Sequence, residues 1–354
     1  MAESREVLLR VEHLKQYFGR LKAVDDVSFD IYKGEVFGLV GESGCGKTTT
    51  GRTIIKLYEP TGGDIWFNGR HIGTGVKDKK KQIAALRREG NIDEAKRLSA
   101  ELVKSQKEVR DSVSDNVMTK MQMIFQDPIA SLNPRMTVRQ IISEGFTIRG
   151  VRDKAYIDAK VKEVLEMVGL VSEHAERYPH EFSGGQRQRI CIARALALSP
   201  KILVADEPVS ALDVSVQAQI LNLLKEIKQK RNLSMLFVTH DFAVARFLCD
   251  DIAVMYQGRL VEYAPAEELF TSPQHPYTQA LLSAVPSVTK RPEALTAVQE
   301  HPERAAWACP FAPRCPYAVA ACQTSPVVLK EVSNKHTCAC GVLPFKDKTS
   351  LAAV

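Results

Sequence analysis

Nine residues near the start of the chain, Gly41-Glu42-Ser43-Gly44-Cys45-Gly46-Lys47-Thr48-Thr49, carry the most readable chemistry. Glycines at 41, 44 and 46 let successive backbone N–H groups turn inward as an anion nest. Lys47 can reach the β- and γ-phosphates of a nucleotide, and the Thr48 hydroxyl can ligate Mg²⁺. Roughly 140 residues later, Phe182-Ser183-Gly184-Gly185-Gln186-Arg187 supplies a second glycine turn. One phosphate-loop fold has no use for another phosphate-binding turn; this one makes sense if it serves a nucleotide held by a neighbouring subunit. At a helix N-terminus its dipole would favour an anion, and a lone subunit would lack part of the transition-state electrostatics. Asp206-Glu207 closes an apolar run. A carboxylate there can hold Mg²⁺ through water, a role that falls to Asp206. Plain capping of a strand end is the structural alternative for this pair, and a structural role is the alternative for His240 behind Thr239.

The cysteines form a second candidate centre. Cys45, Cys191 and Cys249 are scattered, whereas Cys309, Cys315, Cys322, Cys338 and Cys340 crowd the tail. In a reducing cytosol such crowding points to metal or cluster ligation more than to disulfides. The spacing Cys309-x₅-Cys315-x₆-Cys322 is unlike the C-x₂-C pairs of zinc ribbons. A structural staple for a tail with little core is the alternative reading.

The whole chain sets limits on these readings. Its 354 residues exceed one average domain, so two domains, or one with appendages, are expected. Hydrophobic content of 45% and charge of 25% are ordinary for a globular protein. No apolar run approaches the ~20 residues of a membrane span, and Met1-Ala2-Glu3-Ser4-Arg5-Glu6 lacks the layout of a signal peptide. The expectation is a cytosolic protein whose membrane role comes through partners. A net charge of +6, with basic and acidic residues interleaved, gives nucleic-acid binding little support.

The elements that must position these residues follow from periodicity. Val7–Val11 and Val27–Ile31 alternate as half-buried strands, and Val36–Val40 is a buried strand feeding the phosphate loop. Thr49 to Leu57 reads as the helix facing the phosphates, and Ile65–Phe67 as a short strand after the Gly62-Gly63 turn. Residues 73–120 are dense in charge with sparse apolar points. Gly90-Asn91 breaks them and Asp93 stands where a cap is useful, which predicts a hairpin of two amphipathic helices projecting from the domain. A solvated helix face is favoured over nucleic-acid binding for Lys79-Lys80-Lys81. Residues 138–180 and Gln186–Leu198 read as helical, Ile202–Ala205 and Met235–Val238 as buried strands. Strands alternating with helices support a mainly parallel α/β core.

The two glycine motifs, Asp206-Glu207 and His240, in this order over roughly 250 residues, resemble the ATP-binding-cassette (ABC) ATPases, in which two cassettes sandwich two ATPs. The resemblance implies an ABC-type P-loop α/β fold. Its parts would be a mainly parallel core sheet, an antiparallel β subdomain and a helical signature subdomain, here with a small Cys-rich C-terminal extension. The nucleotide-binding domain would span 1–265, with the charged hairpin inserted at about 73–120, and the extension 266–354. By the same resemblance Glu207 is the general base, and His240 contacts the γ-phosphate. Gln126, after Met123-Ile124-Phe125, joins the Mg²⁺ shell. Tyr17 stacks on adenine, with Phe18 as its competitor. Ser183, Gly184, Gly185 and Gln186 touch the γ-phosphate held by a second cassette, and Asp213 lies in the loop that crosses the dimer interface.

Three local features narrow the resemblance to the ATPases of oligopeptide/dipeptide importers. They are Asp127–Met136 after Gln126, the run His275–Leu282, and the cysteine tail. With Leu14–Phe18 and Gly51-Arg52-Thr53, the similarity is to the subunit designated F in such systems. It implies a sister ATPase in a heterodimer, two membrane permeases, an extracytoplasmic solute-binding protein, and a place on the cytoplasmic face of the membrane. Oligosaccharide or nickel is the alternative cargo. In the importer tails four cysteines can hold a [4Fe–4S] cluster. Here Cys309, Cys315, Cys322 and Cys340 match, Cys340 because it lies four residues after His336, leaving Cys338 a spare and zinc the alternative metal. A reading of another class, a cassette protein acting on nucleic acid or the ribosome through the basic hairpin, lacks the second cassette or very long coiled coil usual there.

Overall fold

A computed structural model describes residues 5–114, 117–284, 303, 307–324 and 328–342. β1 (Val7–Phe18) and β2 (Leu21–Tyr32) form a long antiparallel pair whose alternation buries Leu9, Val11 and Leu14 and exposes Arg10 and Glu12. Register shifts occur between Val11 and Leu14, and between Gln16 and Tyr17. β3 (Val36–Val40) is buried along its length and leads through the phosphate loop into α1 (Lys47–Ile54). β4 (Gly62–Phe67) and β5 (Arg70–Thr74) complete a four-stranded antiparallel sheet of order β2-β1-β4-β5.

The charged insertion folds as α2 (Val76–Arg88) and α3 (Ile92–Ser114), broken at Gly90 and Asn91 as expected. Asp93 falls inside the first turn of α3, which puts Asn91 at the cap position. Ile83, Ala95 and Leu102 give the hairpin a small core of its own. Its root is fastened to the antiparallel sheet by Lys15–Asp78 at 2.9 Å, Lys79–Asp64 at 2.8 Å and His71–Glu108 at 3.2 Å. Buried His71 bridges Asp64 and Glu108 at that root.

β6 (Met121–Ile124) leads into a helical region of α4 (Pro128–Ser131), α5 (Val138–Ile148), α6 (Lys154–Met167) and α7 (Gly184–Ala197). Side chains of Asp127, Thr137, Asp153 and Ser183 cap these helices, with reciprocal capping boxes at Thr137–Gln140 and Ser183–Gln186. The chain then alternates through β7 (Ile202–Asp206), α8 (Val214–Arg231), β8 (Ser234–Thr239), α9 (Phe242–Leu248), β9 (Asp251–Tyr256) and β10 (Arg259–Pro265). α10 (Ala266–Thr271), α11 (Pro276–Ser283), β11 (Lys330–Ser333) and β12 (His336–Cys338) complete the described elements.

Among the described residues the second sheet has eight strands in the order β11-β12-β10-β9-β3-β8-β7-β6. The stretch from β9 to β6 is parallel, and β10, β12 and β11 add an antiparallel edge. β3 divides two cores: Val36 and Val40 pack on the helical side, Phe37 and Leu39 on the side of the antiparallel sheet. A strand covered on both faces reads as a continuous apolar run for that reason.

The extension joins the main sheet, because Glu262 and Tyr263 of β10 pair with Cys338 and Thr337 of β12. His336 inserts between two carboxylates, its Nε2 2.8 Å from Glu262 and its Nδ1 3.0 Å from Glu268. Burial disfavours a charged imidazole, but hydrogen bonds to these two acids more than offset it, so the His336 pKa stands above its ordinary value. A raised histidine pKa contributes stability that is complete below the usual value near ~6.5 and fades as pH rises through the folded value. His336→Ala should cost about 3 kcal/mol locally, since it strands the buried Glu262. In the wild type, amide exchange over residues 330–338, corrected for the intrinsic rate, should accelerate as pH rises above the ordinary histidine value near ~6.5. A flat profile would contradict the charged contact.

Candidate nucleotide site

The phosphate loop turns tightly against its neighbours. A Cβ on Gly41 would lie 2.2 Å from the Met255 carbonyl oxygen, and one on Gly46, at φ +110°, 2.2 Å from that of Ala23. Side chains cannot be accommodated at either position. Lys47 is buried, and its Nζ donates to the carbonyls of Gly41 at 2.7 Å and Glu42 at 2.9 Å. The Thr48 hydroxyl donates to Asp206 Oδ1 at 2.8 Å. Asp206 is fully buried, and burial raises its pKa against the pull of Thr48 and Arg52. Its Oδ2 has no hydrogen-bond partner and Arg52 Nη2 stands 3.9 Å away. A buried carboxylate oxygen lacking a donor, beside a threonine hydroxyl, fits Mg²⁺ as the counter-charge. Thr48 and Asp206 would hold it, and it would neutralise phosphate charge.

Glu207, Gln126 and His240 converge. Gln126 Nε2 donates to Glu207 Oε2 at 3.0 Å, and His240 Nδ1 lies 3.1 Å from Glu207 Oε1. The three come from the loop after β6 and the ends of β7 and β8. Glu207 itself sits at φ +45°, an uncommon conformation for a glutamate. Its N–H donates to the Val238 carbonyl at 2.9 Å, which holds the bend at the strand end.

Gln126 and Glu207 face a cavity of about 950 Å³, lined also by Ser43, Gly44, Lys47 and Thr48 among others; His240 does not line it and meets it only through Glu207. Gly46 and Thr49 also line it, while Gly41 and Cys45 lie behind the loop. Of the two neighbouring aromatics, Phe18 lines the cavity and is 44% exposed. The Tyr17 hydroxyl instead donates to Asp25, which also pairs with Arg259 at 2.7 Å. Arg20 and Lys22 from the β1–β2 turn, and Trp307 and Pro310 from the extension, line the same cavity. Sequence reasoning passed over these four, though paired cations beside an exposed aromatic were a signal for the first two.

The second glycine turn lies elsewhere. Ser183 caps α7 and accepts from the Gln186 N–H at 3.3 Å, while Gln186 Oε1 accepts from the Ser183 N–H at 3.1 Å. A Cβ on Gly185 would meet Val216 Cγ1 at 2.5 Å, whereas one on Gly184 would meet nothing closer than Leu212 at 3.6 Å. Asp213 caps the neighbouring α8, accepting from the Val216 N–H at 3.0 Å. Phe182 is buried and packs edge-on to His174, as its motif position implied. Ser183, Gly184, Gly185, Gln186 and Asp213 therefore cluster together, and none of them lines the phosphate-loop cavity.

In the extension the Cys309 N–H donates to the Cys322 carbonyl at 3.3 Å, and tight turns carry the chain from Cys309 through Ala312 to Cys315. Burial raises the Cys309 thiol pKa, and the neighbouring Cys322 and Cys340 raise it further. Cys315 is pushed up to about 11 by burial, with Cys309, Cys340 and Cys322 adding to it. Cys338 is fully buried within β12. Among the described residues no group of three or more His, Cys, Asp or Glu is arranged to hold a metal ion.

Residues 24–210 match the family described as ABC transporter, and residues 261–322 match the oligopeptide/dipeptide transporter C-terminal region. The oligopeptide transport ATP-binding protein OppF of Bacillus subtilis is 53% identical over 286 residues, covering 79% of this chain and 83% of its own. The oligopeptide transport ATP-binding protein AppF of the same organism is 44% identical over 356 residues, covering 96% and 98%. The chain belongs to the ABC transporter family. Among solved structures, the ATP-binding cassette MJ0796, a dimer in a post-hydrolysis state bound to ADP and Pi, superposes with TM-score 0.55. It is 27% identical, with 73% of this chain and 99% of that chain covered. The chain thus carries the fold and hydrolytic machinery of an ABC ATPase.

Glu207 lies at the cavity wall with both carboxylate oxygens held, a placement that a general base toward a cavity water would require. Glu207→Gln should leave ATP affinity within about twofold while lowering turnover by about 10²–10⁴, the usual reach of a general base. Nucleotide-binding titration beside a phosphate-release assay checks both halves, and near-normal turnover would remove Glu207 from that role.

Proposed function

We propose that this chain is the ATP-hydrolysing subunit of an importer of di- and oligopeptides, acting through a dimer of cassettes. The carrying observation is the separation of two phosphate-binding turns on one molecule: the Ser183–Gln186 turn lies outside the cavity of Lys47 and Thr48. A second cassette placed face to face supplies that turn to the γ-phosphate, and Asp213 beside it belongs to the same interface. In this reading Phe18 stacks on adenine, Lys47 and the loop amides hold the phosphates, and Thr48 and Asp206 hold Mg²⁺ with Gln126 nearby. Glu207 takes the proton and His240 orients the γ-phosphate. Residues 1–265 form the nucleotide-binding domain and 266–354 the extension. Peptide cargo is supported by the match over 261–322 and by the named relatives. A sister ATPase, two permeases and an extracytoplasmic binding protein complete the assembly, with this subunit on the cytoplasmic face.

The tail cysteines support a further assignment. Burial raises the Cys309 and Cys315 thiol pKa values, and Cys322 and Cys340 beside them raise both further. Four thiols supply the donor type that a [4Fe–4S] cluster needs, with zinc as the other occupant, and the metal would have to draw them together, since they are not arranged as a ligand group here. Cys340 is taken as the fourth ligand over Cys338 from its place four residues after His336.

Ser183→Arg should leave ATP binding to the same chain intact and cut turnover of the assembled dimer by about 10²–10³, the loss expected for one transition-state anion contact. In proteoliposomes containing the permeases, hydrolysis should rise on adding the peptide-loaded binding protein; indifference to peptide would remove the cargo assignment. Anaerobically purified protein should show iron–sulfur absorbance that Cys315→Ser bleaches. Colourless protein with stoichiometric zinc would replace the cluster.

A further inference from the structure

The extension reaches the phosphate loop directly. Arg314 Nη1 donates to Glu42 Oε2 and Nη2 to Glu42 Oε1, both at 2.9 Å, a two-pronged contact between residues 272 positions apart. The guanidinium lies 5.9 Å from the Tyr256 ring centre and 5.8 Å from that of Phe311, which fixes its plane. Glu42 is gripped twice more through its backbone: its N–H donates to Tyr277 Oη at 3.0 Å, and its carbonyl accepts from Lys47 at 2.9 Å. Tyr277 and Phe311 are almost fully buried, and their rings pack with Tyr256 at 4.6–5.4 Å. The anchor is therefore part of the core. Trp307, Ala308, Pro310 and Pro313, on the same turn as Arg314, line the cavity of Lys47, Thr48 and Phe18.

We infer that the turn Trp307–Arg314 is part of the nucleotide site: Trp307 walls the cavity against a bound nucleoside triphosphate, and Arg314 positions the phosphate loop while neutralising Glu42. This rests on the reading of that cavity as the ATP site. An acidic side chain in a phosphate loop opposes a polyanionic ligand unless a cation is held against it. Arg314 is that cation. Its planar fork also fixes the direction of the Glu42 side chain, which a lysine ammonium does not.

The full-length chain offers a spectroscopic test because Trp66 and Trp307 are its two tryptophans. Trp66 stacks on His71 at 4.8 Å and lies outside this cavity. In Trp66→Phe protein, Mg-ATP should shift or quench the remaining emission, which comes from Trp307. Trp307→Ala should raise the ATP dissociation constant roughly fivefold or more, as loss of an aromatic wall does. Arg314→Gln should raise it by roughly fivefold as well, with Arg314→Lys in between. Adding Glu42→Gln to Arg314→Gln should recover most of the affinity, an outcome that a purely structural anchor would not give. Unchanged affinity in Arg314→Gln together with Trp307 emission indifferent to ATP would overturn the inference. If Arg314→Gln fails to fold by thermal melting, the Trp307 emission and the Trp307→Ala affinity decide it. Wild-type protein that binds no ATP would instead overturn the nucleotide reading beneath it.

Discussion

Three parallel strands end level, and the chemistry of this protein depends on that alignment. In the register Val40 pairs with Thr239, and Val238 with Asp206. The phosphate loop, His240 and the Asp206-Glu207 pair therefore leave the sheet at one height. Thr48 can reach Asp206 across the intervening strand because of this, although 158 positions separate them. A slip of one residue would displace a strand end by about 3.3 Å and turn its side chains to the opposite face. The hydrogen bond would be lost, and the apolar residues that enforce the register would be facing the wrong core. Packing thus fixes the catalytic geometry: alternate residues of β3 enter two separate cores, and both must be satisfied together.

Glu207 shows the local cost of that arrangement. Its positive φ is strained for a glutamate, a cost of order 1–3 kcal/mol that persists only where the surroundings enforce it. The Val238 carbonyl holds its N–H, while Gln126 and His240 hold its two carboxylate oxygens. The bend turns the side chain out of the strand's alternation and into the cavity. Asp206, one residue earlier, keeps strand geometry and points beneath the loop toward Thr48. Adjacent carboxylates thereby acquire different surroundings, one enclosed against a hydroxyl and an arginine, the other between an amide and an imidazole.

Much of this was legible in the residues, and the parts that were not share a cause. Val36–Val40, Ile202–Ala205 and Met235–Val238 read as buried strands because both faces are covered, and the structure extends the last two to Asp206 and to Ser234–Thr239. The phosphate loop was plain because its glycines answer a local steric demand. Gly90-Asn91 correctly divided the charged insertion, since helix breaks are local too. What escaped was set by contacts distant in sequence. Three ion pairs fasten the root of the hairpin to the sheet, and no local pattern marks their partners. Phe18 lines the cavity while the Tyr17 hydroxyl is taken by Asp25, a contact eight positions away that no local pattern marks. The pairing of β12 with β10, and of His336 with Glu262 and Glu268, left no trace in local pattern.

The extension is better understood as an outgrowth of the cassette's core than as a separate body. Phe311 and Cys315 belong to the same apolar cluster as Val40, Phe237 and Tyr277. β12 extends the sheet that carries the phosphate loop, and Glu262 of β10 accepts from the backbone N–H groups of Gln274 and His275 as well as contacting His336. The acid is buried, so these partners are mutually necessary: removing any one leaves charge or donors unmatched in a low-dielectric interior. The run from Glu262 through α11 to Tyr277 is consequently stiff, and Tyr277 is the residue that meets the Glu42 N–H. Two routes, one through this run and one through Arg314, converge on a single residue of the phosphate loop. A displacement at the cysteine turn cannot be absorbed by slack in the intervening structure, because close-packed aromatics transmit strain more readily than they dissipate it. The extension and the phosphate loop are therefore joined by direct contacts at Glu42, from Tyr277 to its backbone and from Arg314 to its side chain.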